Sequence, residues 1–238
     1  MTTPAPSNHR LILDLPRWAL GYAVATVLVA TAWYLARADV MGLLRSGSPW
    51  FVVTERPREA IVAFTLTLIL FGVIPVALAR PVLDRSPWDL GLRLGDSRLW
   101  LKLLALGVPV GILAGYLAHR SPGIEAVYPL GGKLVADPAA FAVHASGYLL
   151  YYLGFEYLFR GFLLFGTKDE IGPAAANLLQ ACLATAFHFG KPGLEMAAVF
   201  PASLVFGWLA LATDSIWCPL GIHWVVGVAV DYFLVFGR

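Results

Sequence analysis

Charge is the scarcest thing in this chain. Of its 238 residues, 17 are Lys or Arg and 15 are Asp or Glu, so 13% are charged. Soluble domains carry about 25%. Hydrophobic residues make up 59%, and mean hydropathy is +0.73. That balance excludes an ordinary soluble domain and points to a polytopic membrane protein. The net charge of +2 is too small to suggest nucleic acid as a partner. The scattered Lys and Arg read as loop anchors at lipid headgroups. Cysteine is also scarce. The two present, Cys182 and Cys218, lie in apolar segments without a C-x-x-C spacing. Buried free thiols are therefore expected, not a disulfide or a metal pair.

Several protease signatures are missing as well. There is no H-E-x-x-H, which argues against a zinc protease of that kind. There is no G-x-S-G; Ser146 in A-S-G, near His144, is a weak substitute. Asp231 is the only acid deep in the last apolar segment, so no pair of aspartates is available there.

What the chain has is long apolar runs, at 18–36, 60–79, 99–118, 139–165, 174–189, 194–212 and 216–236. A spanning helix needs about 20 such residues. The expected fold is an all-α, polytopic transmembrane helix bundle of about seven spans, with a polar cavity within the C-terminal four helices. The division expected is a polar tail (1–17), N-terminal helices and a connector (18–98), and a bundle carrying the chemistry (99–238). The first run reads as an anchor, not a cleaved signal. Pro75 marks a kink that neighbouring helices can tolerate. The basic connector around 80–102 weakly favours a cytoplasmic N-terminus. No internal repeat is visible.

The stretch G-F-E-Y-L-F-R-G-F-L-L-F-G (154–166) organises the rest. Glu156 and Arg160 stand inside an apolar run. A charge at the bilayer centre costs roughly 2.5–3.5 kcal/mol even on the lenient insertion scale, so such residues suggest a functional site. They are four apart with the acid first, the better ion-pair orientation on one helix face. Tyr148 and Tyr152 precede them on that face. On the last segment His223, Gly227 and Asp231 recur at i, i+4, i+8 and share a face. Gly227 leaves a gap there for a water or a substrate backbone. Asn177 and Gln180 add amides to the interior. At about 1.5 Å per residue, Glu156 lies roughly 15 Å, His223 about 12 Å and His188 about 20 Å from one membrane face. One cavity can hold all three. Glu195, just after the G-K-P-G break, is within reach of His188 but poorly placed for His223, with Lys191 solvated beside it. Asp231 is expected near the membrane edge.

A carboxylate, two imidazoles and a guanidinium in a wet membrane cavity suit amide hydrolysis. The carboxylate would activate water, a histidine would orient it or donate to the oxyanion, and Arg160 would keep the carboxylate ionised. The segments F-E-Y-L-F-R-G-F-L-L, H-F-G-K-P-G-L-E and P-L-G-I-H-W-V-V-G resemble the three motifs of the CPBP (CAAX protease and bacteriocin-processing, or ABI) family, with the upstream D-L-G-L-R also typical. That family's pattern is E-E-x-x-x-R, F-x-x-x-H and H-x-x-x-N. The resemblance implies a glutamic-type intramembrane endopeptidase with no obligatory metal or cofactor, acting on a membrane-associated protein or peptide. It further implies a multi-pass protein of the lipid bilayer, expected in the cell membrane. Glu156, Arg160, His188 and His223 match motif residues, while Glu195, Gly227 and Asp231 are candidate supporting residues. Three motif positions depart: Phe155 replaces the first Glu, Ala184 the Phe, and Gly227 the Asn. The base is then Glu156 on a rotated helix, or Glu195, or the chain is an inactive membrane scaffold. A proton-coupled transporter is disfavoured by the lack of a repeat.

Overall fold

The computed structural model describes residues 15–37, 57–130, 132 and 136–237. Most of the expected polar tail and of the loop at 39–58 lies outside these residues. The described chain is helical, with no strand among the described residues. Helix α1 is Arg17–Arg37. Helix α2 (Pro57–Leu68) passes through a π-helical turn (Ile69–Val73) into α3 (Ile74–Leu83). Next come α4 (Ser97–Ala118) and α5 (Pro138–Glu156). The latter continues as a π-helix (Tyr157–Phe165) into α6 (Gly166–Ile171). Helices α7 (Pro173–Phe187), α8 (Gly193–Thr213) and α9 (Trp217–Phe236) complete the bundle.

Helix starts follow local chemistry. Asp96 and Asp137 accept from the backbone N–H of Leu99 and Ala140 at 3.0 and 2.9 Å, capping α4 and α5. Pro138 and Pro173 occupy first turns, where a missing N–H costs nothing. The π turn ends just before Pro75, whose missing N–H would otherwise leave a carbonyl unpaired in the middle of the span. Hydroxyls inside the helices bond back to the i−4 carbonyl, as Thr67, Thr167, Thr185 and Thr213 do. They therefore present no unpaired polar atom to an apolar surround.

Five helices among the described residues are long and apolar enough to cross a membrane: Arg17–Leu35, Ala60–Leu83, Ser97–Ala118, Gly193–Thr213 and Trp217–Phe236. Their outward faces stay oily; Leu106, Val110, Leu113 and Leu117 of α4 are 56–70% exposed. The protein is an integral, multi-pass membrane protein. Two of the seven expected spans do not join that set. Helix α7 has only 15 residues. The α5–π helix is polar along one side, and it can be, because protein covers that side; the outer side of α5 carries the exposed Val143, Leu149 and Leu150. Every side chain from Tyr157 to Phe165 is at most 3% exposed, Arg160 included.

Two glycine contacts set this geometry. Gly154 meets the backbone of Thr67 and Leu68, so α5 crosses α2 closely. The D-L-G-L-R-L-G-D connector docks on the turn between α8 and α9. Ile216 N–H donates to Gly91 O, Asp96 N–H to Thr213 O, and the Trp217 indole to Leu92 O. Arg93 pairs with Asp214 at 2.7 Å. Gly91 and Gly95 have φ of +86° and +57°, and a Cβ on Gly95 would overlap the Thr213 carbonyl. The connector thus fixes the start of the helix that carries His223.

One expectation is corrected: Cys218 is buried but Cys182 is exposed. Asn177 and Gln180 do add amides to the interior, where they donate to the Leu204 and Ser203 carbonyls and fasten α7 to α8.

Candidate active site

Helices α5 and α9 face each other in opposite directions. Each brings a stripe of residues four apart: His144, Tyr148, Tyr152, Glu156 and Arg160 on one side, Asp231, Gly227 and His223 on the other. The stripes meet as an antiparallel ladder. At one end His144 Nε2 and Asp231 Oδ2 lie 2.8 Å apart. In the middle Tyr152 packs over Gly227. At the far end His223 Nδ1 donates to Glu156 Oε1 at 2.7 Å, and Arg160 Nη1 donates to the same oxygen at 3.3 Å. Glu156 and Arg160 are completely buried, whereas the His223 side chain keeps 21% exposure. Because Nδ1 is committed to Glu156, Nε2 is the His223 nitrogen left to act as a base.

A cavity of about 630 Å³ opens beside the ladder. Its polar wall includes His188, His223, Arg160, Glu195 and Tyr152, and its remaining wall is mainly apolar. It is broader than the expected cavity within four helices. Val110, Ala114 and Leu117 of α4 also line it, as does Tyr128 of the connector that follows. Glu156 is absent from this wall. Phe155 lines it instead, its ring 5.3 Å from that of His223 and 5.8 Å from that of His188. The helix is not turned to bring Glu156 into the cavity; Glu156 stands behind His223.

His188 caps α7. Its Nδ1 donates to Ala184 O at 2.7 Å, leaving Nε2 as an acceptor 3.9 Å from Glu195 Oε1. Glu195 accepts from the Tyr128 hydroxyl at 2.9 Å. The Lys191 ammonium donates to the same hydroxyl at 2.6 Å and lies 3.7 Å from Glu195. Lys191 is therefore not solvated as expected; its side chain is only 7% exposed. Burial pushes its pKa below the ordinary lysine value, with Glu195 opposing that shift. Burial, followed by the charge of Glu195, pushes the Tyr128 phenol well above its own.

The site thus holds two imidazole–carboxylate arrangements, His223 with Glu156 and His188 with Glu195, on either side of Phe155. One other expectation changes: the gap at Gly227 is filled, since a Cβ there would overlap the Tyr152 hydroxyl. Asp231, five residues before the end of α9, is fully buried against His144. His144 was missed in the sequence, although its place four residues before Tyr148 continues the α5 stripe. Among the described residues no group of three or more His, Cys, Asp or Glu is arranged to hold a metal ion.

The multi-pass bundle gathers ionisable groups beside an interior cavity, and this part of the chain is similar to a known class, the CAAX-type intramembrane proteases. Residues 139–229 match the family model described as Rce1-like, type II CAAX prenyl endopeptidase. The match includes Glu156, Arg160, His188, Glu195, His223 and Gly227 and stops before Asp231. No curated protein and no solved structure matched the chain.

Proposed function

We propose that the protein is an endopeptidase of the cell membrane that cuts a peptide bond of a membrane-associated protein or peptide, using water activated by a glutamate–histidine pair. The observation that carries this reading is the 2.7 Å hydrogen bond from His223 Nδ1 to a fully buried Glu156. It fixes the tautomer and aims the second ring nitrogen at the cavity. Water lodged over Phe155 gives one hydrogen bond to His223 Nε2 and the other to His188 Nε2. As its oxygen attacks the carbonyl carbon, its proton passes to His223, and Glu156 stabilises the imidazolium. The carbonyl π electrons move to the oxygen. Collapse of the tetrahedral species breaks the C–N bond, and His223 returns the proton to the leaving amine. Arg160, donating to the same oxygen, holds the Glu156 carboxylate in place. No cofactor enters this scheme. The apolar wall of the cavity suits a substrate that carries lipid or an apolar tail, and the family description makes a prenylated C-terminal peptide the first to try.

The test uses purified protein in vesicles with membrane-anchored fluorescent peptides, one set prenylated and one not, and mass spectrometry of the products. Cleavage of at least one peptide is expected, with loss in His188→Ala and His223→Ala proteins that remain folded. A second reading, a non-catalytic scaffold, is favoured by one feature: Phe155 stands where the resembling family has a glutamate. It would require that wild-type protein cut none of the peptides.

A further inference from the structure

The ladder holds a hydroxyl that the scheme above leaves unused. Tyr152 lies one turn before Glu156 on α5, and Gly227 lies one turn after His223 on α9. The two helices run antiparallel, so the rung next to Glu156–His223 is Tyr152–Gly227. The Tyr152 ring sits 4.4 Å from the His223 ring. Its hydroxyl fills the space that any side chain at 227 would need, and its ring carbon Cζ would stand only 2.7 Å from such a Cβ. Tyr152 is 5% exposed and lines the cavity. A phenol so held has little rotational freedom to lose, and it sits in a wall where water is scarce. A hydrogen bond to developing negative charge is strongest in such a place.

We propose that the Tyr152 hydroxyl, seated against Gly227 one helical turn from His223, is a further catalytic residue that donates a hydrogen bond to the carbonyl oxygen of the bond being cut. The proposal rests on the peptidase reading. It supplies what that scheme lacks, a donor for the oxygen that takes the electron pair when water adds. It also explains the glycine at 227: a larger residue would displace the donor. No proton is transferred from Tyr152; the O–H bond stays intact while its hydrogen bond to oxygen shortens.

The experiment compares wild type, Tyr152→Phe, Gly227→Ala and His223→Ala in the vesicle assay, using the peptide that the wild type cuts. Binding of that peptide's phosphinate isostere, a tetrahedral mimic of the addition species, is measured beside it. Tyr152→Phe is expected to lower kcat by about 10²–10³-fold, the usual loss for one such donor. KM should change by less than about threefold, because the contact forms mainly at the transition state. Phosphinate affinity should fall while substrate affinity holds. Gly227→Ala should reproduce the loss, and the double variant should be little worse than either single one, since both remove the same contact. If Gly227→Ala fails to fold, the phosphinate measurement on Tyr152→Phe decides alone. Unchanged kcat in Tyr152→Phe, with His223→Ala inactive, overturns the proposal and leaves the peptidase reading standing. Absence of cleavage by the wild type overturns both.

Discussion

Replacing Glu156 by Gln separates catalysis from packing. The side chain keeps its shape and loses its charge. At 2.7 Å, a unit charge pair in a medium of effective dielectric constant about 20 is worth about 6 kcal/mol, the scale of support Glu156 can give an imidazolium at His223. Arg160, 3.3 Å from the same oxygen, cancels part of it. If about 4 kcal/mol survives, the loss is about 10³-fold in kcat. The same change leaves the fully buried Arg160 without a counter-charge, which costs about 3–5 kcal/mol of stability. A fall in activity alone is therefore ambiguous. The double variant Glu156→Gln, Arg160→Met removes both charges together and should return most of the stability. It should not return cleavage. The assays are vesicle peptide cleavage and thermal unfolding in detergent. Recovery of both stability and cleavage in the double variant would show that the pair only fastens helices, and the mechanism would be wrong.

Three further substitutions test neighbouring parts of the structure. Glu195→Gln should slow cleavage by about tenfold, or about 1.4 kcal/mol, because 3.9 Å separates its carboxylate from His188 Nε2 without a hydrogen bond; a loss as large as that of Glu156→Gln in the same assay would move the main role to Glu195. Asp231→Asn should lower stability by about 1.5–3 kcal/mol through the weakened His144 contact, measured by thermal unfolding, and leave kcat within about fivefold. Gly95→Ala should destabilise by more than about 1–2 kcal/mol, the strain of the left-handed backbone alone, since its Cβ also meets the Thr213 carbonyl; an unfolding midpoint equal to wild type would refute the account of that connector.

The sequence made the four motif residues legible because each is a polar intruder in an apolar run. Their spacing also assigned faces: Glu156 with Arg160, and His223 with Gly227 and Asp231. Spacing along one helix does not say how that helix is turned toward its neighbour. So the pairing of Asp231 with His144 and the filling of the Gly227 gap by Tyr152 were not visible. Both are contacts between helices more than 70 residues apart in the chain. The π-helix at Tyr157–Phe165 has no pattern by which to find it, since apart from Arg160 and Gly161 its residues are large and apolar however the helix is wound. Lys191 was misread for a related reason. A lysine in a Gly/Pro turn is usually solvated, but here Tyr128 from a distant connector closes over it. Cys182 was misread as buried because an apolar flank is equally consistent with facing lipid.

The placement of chemistry on one helix follows from the bilayer. A spanning helix that touches lipid cannot carry an acid, a guanidinium, an imidazole and several phenols without large insertion penalties. It can where other helices cover its polar side and its polar groups meet partners. The α5–π helix satisfies both conditions: His144, Tyr148, Tyr152, Glu156 and Arg160 are buried, while the exposed side of α5 presents Val143, Leu149 and Leu150. Helix α9 supplies the rungs that pair with its stripe. The same enclosure raises the strength of each pairing, because little water competes with the Glu156–His223 bond. Apolar enclosure and polar function are therefore one requirement: opening the ladder to lipid or to bulk water would weaken the contact that orients His223 as much as it would weaken the bundle.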